Sequence, residues 1–203
     1  MTIAENIARI RANMAAAARE AGRDPKEILL VGASKMNDAA ACREAVAAGI
    51  DALGENRVQE LLEKYDGLDK GHCDVQFIGR LQTNKVKYLV EKVSCIQSLD
   101  SMKLAREISR LSSAAGLVTQ VLVEVNIGRE ENKGGVLPEA LLEFVDEARQ
   151  LPGIHIGGLM AIPPVCVNKT ELCGYFSAMR QYYVDIAAKR LDNVSMDRLS
   201  MGM

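Results

Sequence analysis

A lysine directly follows a short apolar segment near the start of the chain. Residues 28–33 read Ile-Leu-Leu-Val-Gly-Ala, which is typical of a strand buried on both faces of a parallel sheet, and Ser34 and Lys35 come next. An amine that emerges from such a strand is partly desolvated, which favours its neutral form and lets it attack a carbonyl carbon. A solvated lysine just beyond a strand is the alternative interpretation.

Polar side chains also follow several of the other predicted strands. Asn56, Asn84 and Asn126 could form a polar lining, although an Asn at the start of a loop is more often a turn or cap residue. Glu55 and Glu124 could act as paired carboxylates in acid–base chemistry. Because nothing in the sequence fixes their separation, a satisfied surface or loop salt bridge is the favoured interpretation for both.

The end of the chain offers a candidate anion site. Ser200, Met201 and Gly202 follow the last predicted strand, where backbone N–H groups could contact a phosphate; a simple turn is the alternative. The sequence has no G-x-G-x-x-G after a strand, no P-loop and no G-x-S-x-G elbow. His72 and His155 have no ligand spacing, so we predict no metal site.

Apolar segments of strand length alternate with segments of helical periodicity along the whole chain. The predicted strands are residues 28–33, 52–54, 75–79, 93–96, 119–127, 154–160 and 193–201. The predicted helices are residues 3–22, 38–48, 58–65, 85–90, 101–115, 138–150 and 170–190. Such alternation predicts a parallel α/β sheet, with functional side chains at the carboxyl ends of the strands. We expect one domain over residues 1–203, a TIM-type (β/α)8 barrel that lacks about one βα unit at its C-terminal end.

The composition excludes several classes of protein. The chain has 203 residues, 48% of them hydrophobic and 26% charged, as in ordinary globular proteins. A net charge of −2 argues against a dedicated nucleic-acid binder. No apolar run approaches the ~20 residues that cross a bilayer. Five dispersed cysteines indicate reduced thiols and a cytoplasmic protein.

A set of motifs, taken together, resembles the YggS/PROSC family, the pyridoxal phosphate homeostasis proteins. In family order they are VGASK (31–35), LGENRVQE (53–60), FIGRLQTNK (77–85), SLD (98–100), VNIGREENKGG (125–135), GLM (158–160) and LSMGM (199–203). Three features depart from the family pattern. The family continues past Met203 through another helix and strand with an Arg-Ile-Gly motif, Gln76 replaces a histidine, and Met36-Asn37 replaces a Thr-Lys-Pro-like continuation.

The resemblance implies a fold like the alanine racemase N-terminal barrel and a non-catalytic role in vitamin B6 homeostasis. It implies pyridoxal 5′-phosphate (PLP) held as a Schiff base on Lys35, with Asn56 near the cofactor ring and Ser200 and Gly202 at the phosphate. It further implies a monomer, with PLP-dependent apoenzymes as candidate partners, and no nucleic acid or membrane partner.

Three alternatives stay open. The first is a small PLP-dependent amino-acid racemase or lyase that uses this barrel alone. The second is an aldolase that forms a Schiff base with a phosphorylated sugar, and the third is a chain that holds no cofactor and acts through partners. Binding is favoured over catalysis because a two-base racemase needs a second proton donor, usually brought by another domain.

Overall fold

The computed structural model describes residues 1–69, 71–166 and 168–202. The chain divides into two compact units, Met1–Gln76 and Phe77–Met203. Each unit is a run of parallel strands joined through helices, and each is described below by itself.

The described residues of the first unit form three α-helices, one 3-10 helix and the first three strands. Its elements are α1 (Ile3–Glu20), a 3-10 helix (Pro25–Glu27), β1 (Val31–Ala33), α2 (Ala39–Ala47), β2 (Ala52–Glu55), α3 (Val58–Tyr65) and β3 (Asp74–Phe77), within which the unit boundary falls. A capping box between Thr2 and Glu5 begins α1, and the Asp38 carboxylate caps α2. Strands β1 and β2 pair in parallel, with Gly32 opposite Leu53.

The first strand is shorter and more exposed than the sequence predicts. Residues 28–30 lie outside β1, Val31 and Gly32 are half-buried, and Ala33 is exposed. The Asp51 carboxylate accepts a hydrogen bond from the Leu30 backbone N–H at 2.6 Å, so a side chain takes the place of a ladder partner. The prediction of a strand over residues 28–33 that is buried on both faces is therefore wrong.

Four parallel strands in chain order form the sheet of the second unit, as far as its residues are described. Its elements are a 3-10 helix (Thr83–Tyr88), β4 (Cys95–Leu99), α4 (Met102–Ala114), β5 (Thr119–Glu124), a 3-10 helix (Pro138–Ala140), α5 (Leu141–Ala148), β6 (Ile154–Ala161), α6 (Lys169–Ala188) and β7 (Val194–Met201). Its core is aliphatic; Ile96, Leu122 and Ile156 are fully buried. The segment predicted as a helix over residues 85–90 is the 3-10 helix Thr83–Tyr88. The strand predicted over residues 119–127 ends earlier, at Glu124, because the chain then turns.

The sheet of the second unit curls. The Ser200 hydroxyl at the end of β7 donates a hydrogen bond to Gln97 Oε1 of β4 at 2.7 Å, although β5 and β6 lie between those strands in the sheet. At Gly158 of β6 the backbone of β7 approaches so closely that an added Cβ would lie 1.8 Å from the Arg198 carbonyl oxygen. The predicted α/β class with parallel strands is confirmed.

Three further findings bear on function. Over residues 1–69, 71–166 and 168–202, none of the helices is long and apolar enough to cross a lipid bilayer. In the same ranges, no group of three or more His, Cys, Asp or Glu side chains could hold a metal ion. All five cysteines lie in the described part of the chain and are free thiols.

Candidate functional site

The turn formed by residues 34–37, here called the Lys35 turn, directly follows β1. The Lys35 side chain is exposed, so the desolvation expected from the sequence does not distinguish this amine. Met36 has a φ of +62°, a left-handed conformation that is uncommon for a residue with a side chain. Within the turn, the Asn37 backbone N–H donates to the Ser34 carbonyl at 3.2 Å, and the Asn37 amide donates to the Lys35 carbonyl at 3.1 Å.

A buried polar cluster lies beneath this turn. Glu55, Lys64 and Ser34 are 1%, 7% and 5% exposed. One Glu55 carboxylate oxygen accepts the Ser34 hydroxyl hydrogen and forms an ion pair with Lys64 Nζ. Lys64 Nζ also donates to the Ser34 carbonyl at 2.7 Å and to the Asn37 carbonyl at 3.0 Å. The two buried charges thus compensate each other. The salt bridge favoured from the sequence for Glu55 is present, but it is buried and not at the surface.

Asn56 carries an orphaned polar atom directly after β2. The residue is half-buried, and its Oδ1 is fully buried with no hydrogen-bond partner among the residues that the structure describes. Buried side-chain oxygens are normally hydrogen-bonded, so this atom is an acceptor that a ligand can satisfy. Asn126 differs, because its side chain both donates to the Glu130 carbonyl at 2.9 Å and accepts the Glu130 backbone N–H at 3.0 Å. Asn126 thus has the structural role in a loop that an Asn after a strand usually has.

Ser200 and Gly202 lie at the end of β7, in the second unit. The Ser200 hydroxyl hydrogen is engaged by Gln97 Oε1. Gly202 is exposed with a φ of +95°, and among the described residues no other heavy atom lies within 4 Å of the position of an added Cβ, its chain neighbours excepted. Glycine adopts this conformation readily, and turns of this kind bind anions through their backbone N–H groups.

Glu124, the last residue of β5, is a half-buried carboxyl group whose pKa is raised. Burial and the nearby Asp100 carboxylate raise the pKa of Glu124 to about 7, while Arg80 and Lys133 act in the opposite direction. A carboxyl group with such a pKa exchanges a proton near neutral pH. The sequence had placed Glu124 beside Glu55 as a candidate pair, whereas the acidic neighbour found is Asp100.

The sequence analysis missed two side chains that organise the Lys35 turn, Glu60 and Lys64 of α3. Glu60 Oε2 accepts the Met36 backbone N–H at 2.9 Å, and this hydrogen bond is the main cause of a lowered Glu60 pKa. Their spacing of four residues on one helix was the available signal, but it is equally typical of a surface ion pair. The four predicted site residues divide evenly, with Lys35 and Asn56 in the first unit and Ser200 and Gly202 in the second.

Comparisons with known proteins show the family to which the chain belongs. The family model described as "Alanine racemase, N-terminal domain" matches residues 6–202. A pyridoxal phosphate homeostasis protein from Aquifex aeolicus is 42% identical over 203 residues, which cover all of this chain and 88% of that protein.

Solved structures give the same indication. PipY of Synechococcus elongatus, solved with PLP bound, has a TM-score of 0.84 and 30% identity, and the match covers all of this chain and 89% of PipY. An alanine racemase from Clostridium difficile shares the fold, with a TM-score of 0.68 at 16% identity over 96% of this chain and 50% of the racemase. The chain therefore belongs to the family of pyridoxal phosphate homeostasis proteins, which the motifs after its strands had indicated.

Proposed function

We propose that this chain binds PLP and acts in PLP homeostasis as a carrier or regulator. The observation that carries the proposal is the exposed Lys35 amine on a turn that buried and charged side chains hold in place. The names of the relatives support the homeostasis role, and the PLP-bound PipY structure supports PLP as the ligand.

The residues present fit this ligand. Lys35 offers a primary amine, Asn56 offers a buried acceptor that lacks a partner among the described residues, and Gly202 offers a glycine backbone with a positive φ. PLP supplies an aldehyde that condenses with a primary amine, together with a pyridine ring and a phosphate.

We assign each predicted residue one task. Lys35 Nζ forms the covalent attachment, Asn56 contacts the ring, and the Gly202 backbone binds the phosphate. Ser200 contributes its hydroxyl to the phosphate only by turning the O–H away from Gln97, because that hydrogen is already engaged.

We further propose that the chain performs no catalysis. The alternative is a small PLP-dependent racemase or lyase, and the observation that favours it is Glu124, whose pKa of about 7 suits proton transfer near neutral pH. An alanine racemisation assay distinguishes the carrier from the enzyme. Conversion of L-alanine to D-alanine that is lost in both Lys35→Met and Glu124→Gln would establish the alternative and contradict the carrier.

We also propose that the two units form one domain, a TIM-type (β/α)8 barrel. The strand–helix alternation of both units and the curled sheet of the second support it. The described residues contain seven strands, which succeed one another along the chain. We propose, finally, that the protein is a cytoplasmic monomer that supplies PLP to PLP-dependent apoenzymes. Light scattering of the purified protein tests whether it is a monomer.

The test is an absorbance titration of the purified protein with PLP. Wild type should develop the band of a PLP–lysine Schiff base with saturation, and Lys35→Met should lose it. Lys26→Met is the matched control, because Lys26 is also an exposed lysine of the first unit. A band of equal intensity in Lys35→Met, or no band in wild type, would contradict the proposal.

A further inference from the structure

We infer that α3 positions the Lys35 amine for its ligand, with Glu60 and Lys64 acting as a clamp on the Lys35 turn. This inference rests on the proposed attachment of PLP to Lys35. Neither residue touches the ligand in this scheme, so both are positioning residues.

The clamp has contacts on both sides of Lys35. Lys64 Nζ donates to the carbonyls of Ser34 and Asn37, the first and last residues of the turn. Glu60 Oε2 accepts the backbone N–H of Met36 between them. An exposed turn that contains a left-handed Met36 would otherwise sample several conformations, so these contacts fix the path of the backbone at Lys35.

The chemistry of Lys64 separates its role from that of Lys35. An ammonium group has three N–H donors, and Lys64 uses them on the Glu55 carboxylate and the two turn carbonyls. Lys64 is also buried, whereas Lys35 is exposed. Lys64 Nζ binds the backbone on both sides of Lys35, but of these two lysines only Lys35 is exposed to an aldehyde in solution.

An ordered turn matters for affinity because binding otherwise includes the cost of immobilising the attacking group. If α3 orders the turn before binding, removing a contact between α3 and the turn lowers the affinity for every ligand that carries the aldehyde. The affinity for a ligand without the phosphate should fall by the same factor, since the clamp acts on the amine alone.

The experiment compares two alanine substitutions on α3 with PLP and with pyridoxal, which lacks the phosphate. Glu60→Ala should weaken both ligands by about tenfold, a change typical of lost preorganisation. Glu60→Gln keeps an acceptor for Met36 and should restore most of the affinity. Glu63→Ala is the matched control, because Glu63 is exposed on the same helix and should bind both ligands as wild type does.

A second variant tests the other side of the clamp. Lys64→Met alone leaves the Glu55 charge buried without its cation and is expected to unfold the chain. The double variant Glu55→Gln/Lys64→Met removes both charges, and its circular dichroism spectrum should match that of wild type while its affinity falls at least as far as in Glu60→Ala. If the double variant does not fold, the comparison of Glu60→Ala with Glu63→Ala decides alone.

The outcomes separate the inference from the proposed function. If wild type forms no band with PLP, or keeps it in Lys35→Met, the proposed function fails and the clamp fails with it. If wild type binds through Lys35 while Glu60→Ala and the folded double variant bind equally well, α3 does not position the amine. A melting temperature that falls without a change in affinity would equally overturn the inference, because it would show a structural role alone.

Discussion

The Lys35 turn and the end of β7 carry the two halves of the predicted site, and they are held in different ways. Side chains hold the Lys35 turn, where a buried ion pair and one further carboxylate bind its backbone. Backbone pairing holds the end of β7, since β6 and β7 pair in parallel up to Ala161 and Met201 and approach closely at Gly158. The only side-chain contact described for Ser200 is a neutral hydrogen bond.

The difference follows from what each region is proposed to do. A covalent attachment requires one amine at one position, and a clamp of charged groups can define that position. A phosphate is bound by backbone N–H groups, which need a well-defined strand end and open space rather than particular side chains. The first region should therefore be sensitive to changes of charge, and the second to changes of side-chain volume.

The largest expected effect breaks the backbone pairing of the second region. Gly158→Ala places a Cβ 1.8 Å from the Arg198 carbonyl oxygen, so the two strands must separate, and we expect a loss of about 3 kcal/mol in the free energy of unfolding. Gly157→Ala is the matched control. Its nearest neighbours are the flexible ends of Gln120 and Asp197, at 3.3 and 3.5 Å, so urea unfolding should show a much smaller loss. Equal losses in the two variants would contradict the close approach of β6 and β7.

Glu124 sharpens the comparison, because burial disfavours its ionised form, whereas the buried charges beneath the Lys35 turn are paired. Its folded-state pKa of about 7 exceeds its ordinary value of 4.5, so folding becomes less favourable as pH rises from 4.5 to 7. Glu124→Gln removes this cost. One pKa unit corresponds to 1.36 kcal/mol, and after a discount for partial exposure we expect a stabilisation of about 2 kcal/mol at pH 8 and none at pH 4.

Urea unfolding at the two pH values checks this expectation. Glu91→Gln is the control, because Glu91 is an exposed carboxylate of the same unit and surface substitutions change the free energy of unfolding little. A Glu124→Gln variant that is less stable than wild type at pH 8 would show that the carboxylate is a stabilising group.

The smallest expected effect concerns the backbone of the Lys35 turn. Met36 is 89% exposed, so its side chain contributes little, but its φ of +62° is strained for any residue except glycine. Met36→Gly should be more stable than Met36→Ala by about 1 kcal/mol in thermal or urea unfolding. If Met36→Ala proves the more stable of the two, the left-handed conformation of the turn is not populated.

The order of the elements was predictable because strand and helix periodicities are visible in short windows of sequence. Periodicity also placed the motif residues after the strands, whereas the roles proposed for Lys35, Asn56, Ser200 and Gly202 come from the family resemblance and stay predictions. The clamp was not, because Lys64 binds backbone carbonyls 27 and 30 residues away and such contacts leave no pattern in the sequence. The length of β1 was missed similarly, since the Asp51 carboxylate that replaces a ladder partner lies 21 residues from Leu30.

The central claim is that Lys35, and not its buried neighbour Lys64, is the attachment point for PLP. The most direct measurement is borohydride reduction of the wild-type protein saturated with PLP, followed by proteolysis and mass spectrometry of the lysine-containing peptides. We predict one pyridoxyl group per chain, on Lys35, with Lys64 unmodified. A label on Lys64, or a label spread evenly over the exposed lysines, would contradict the claim.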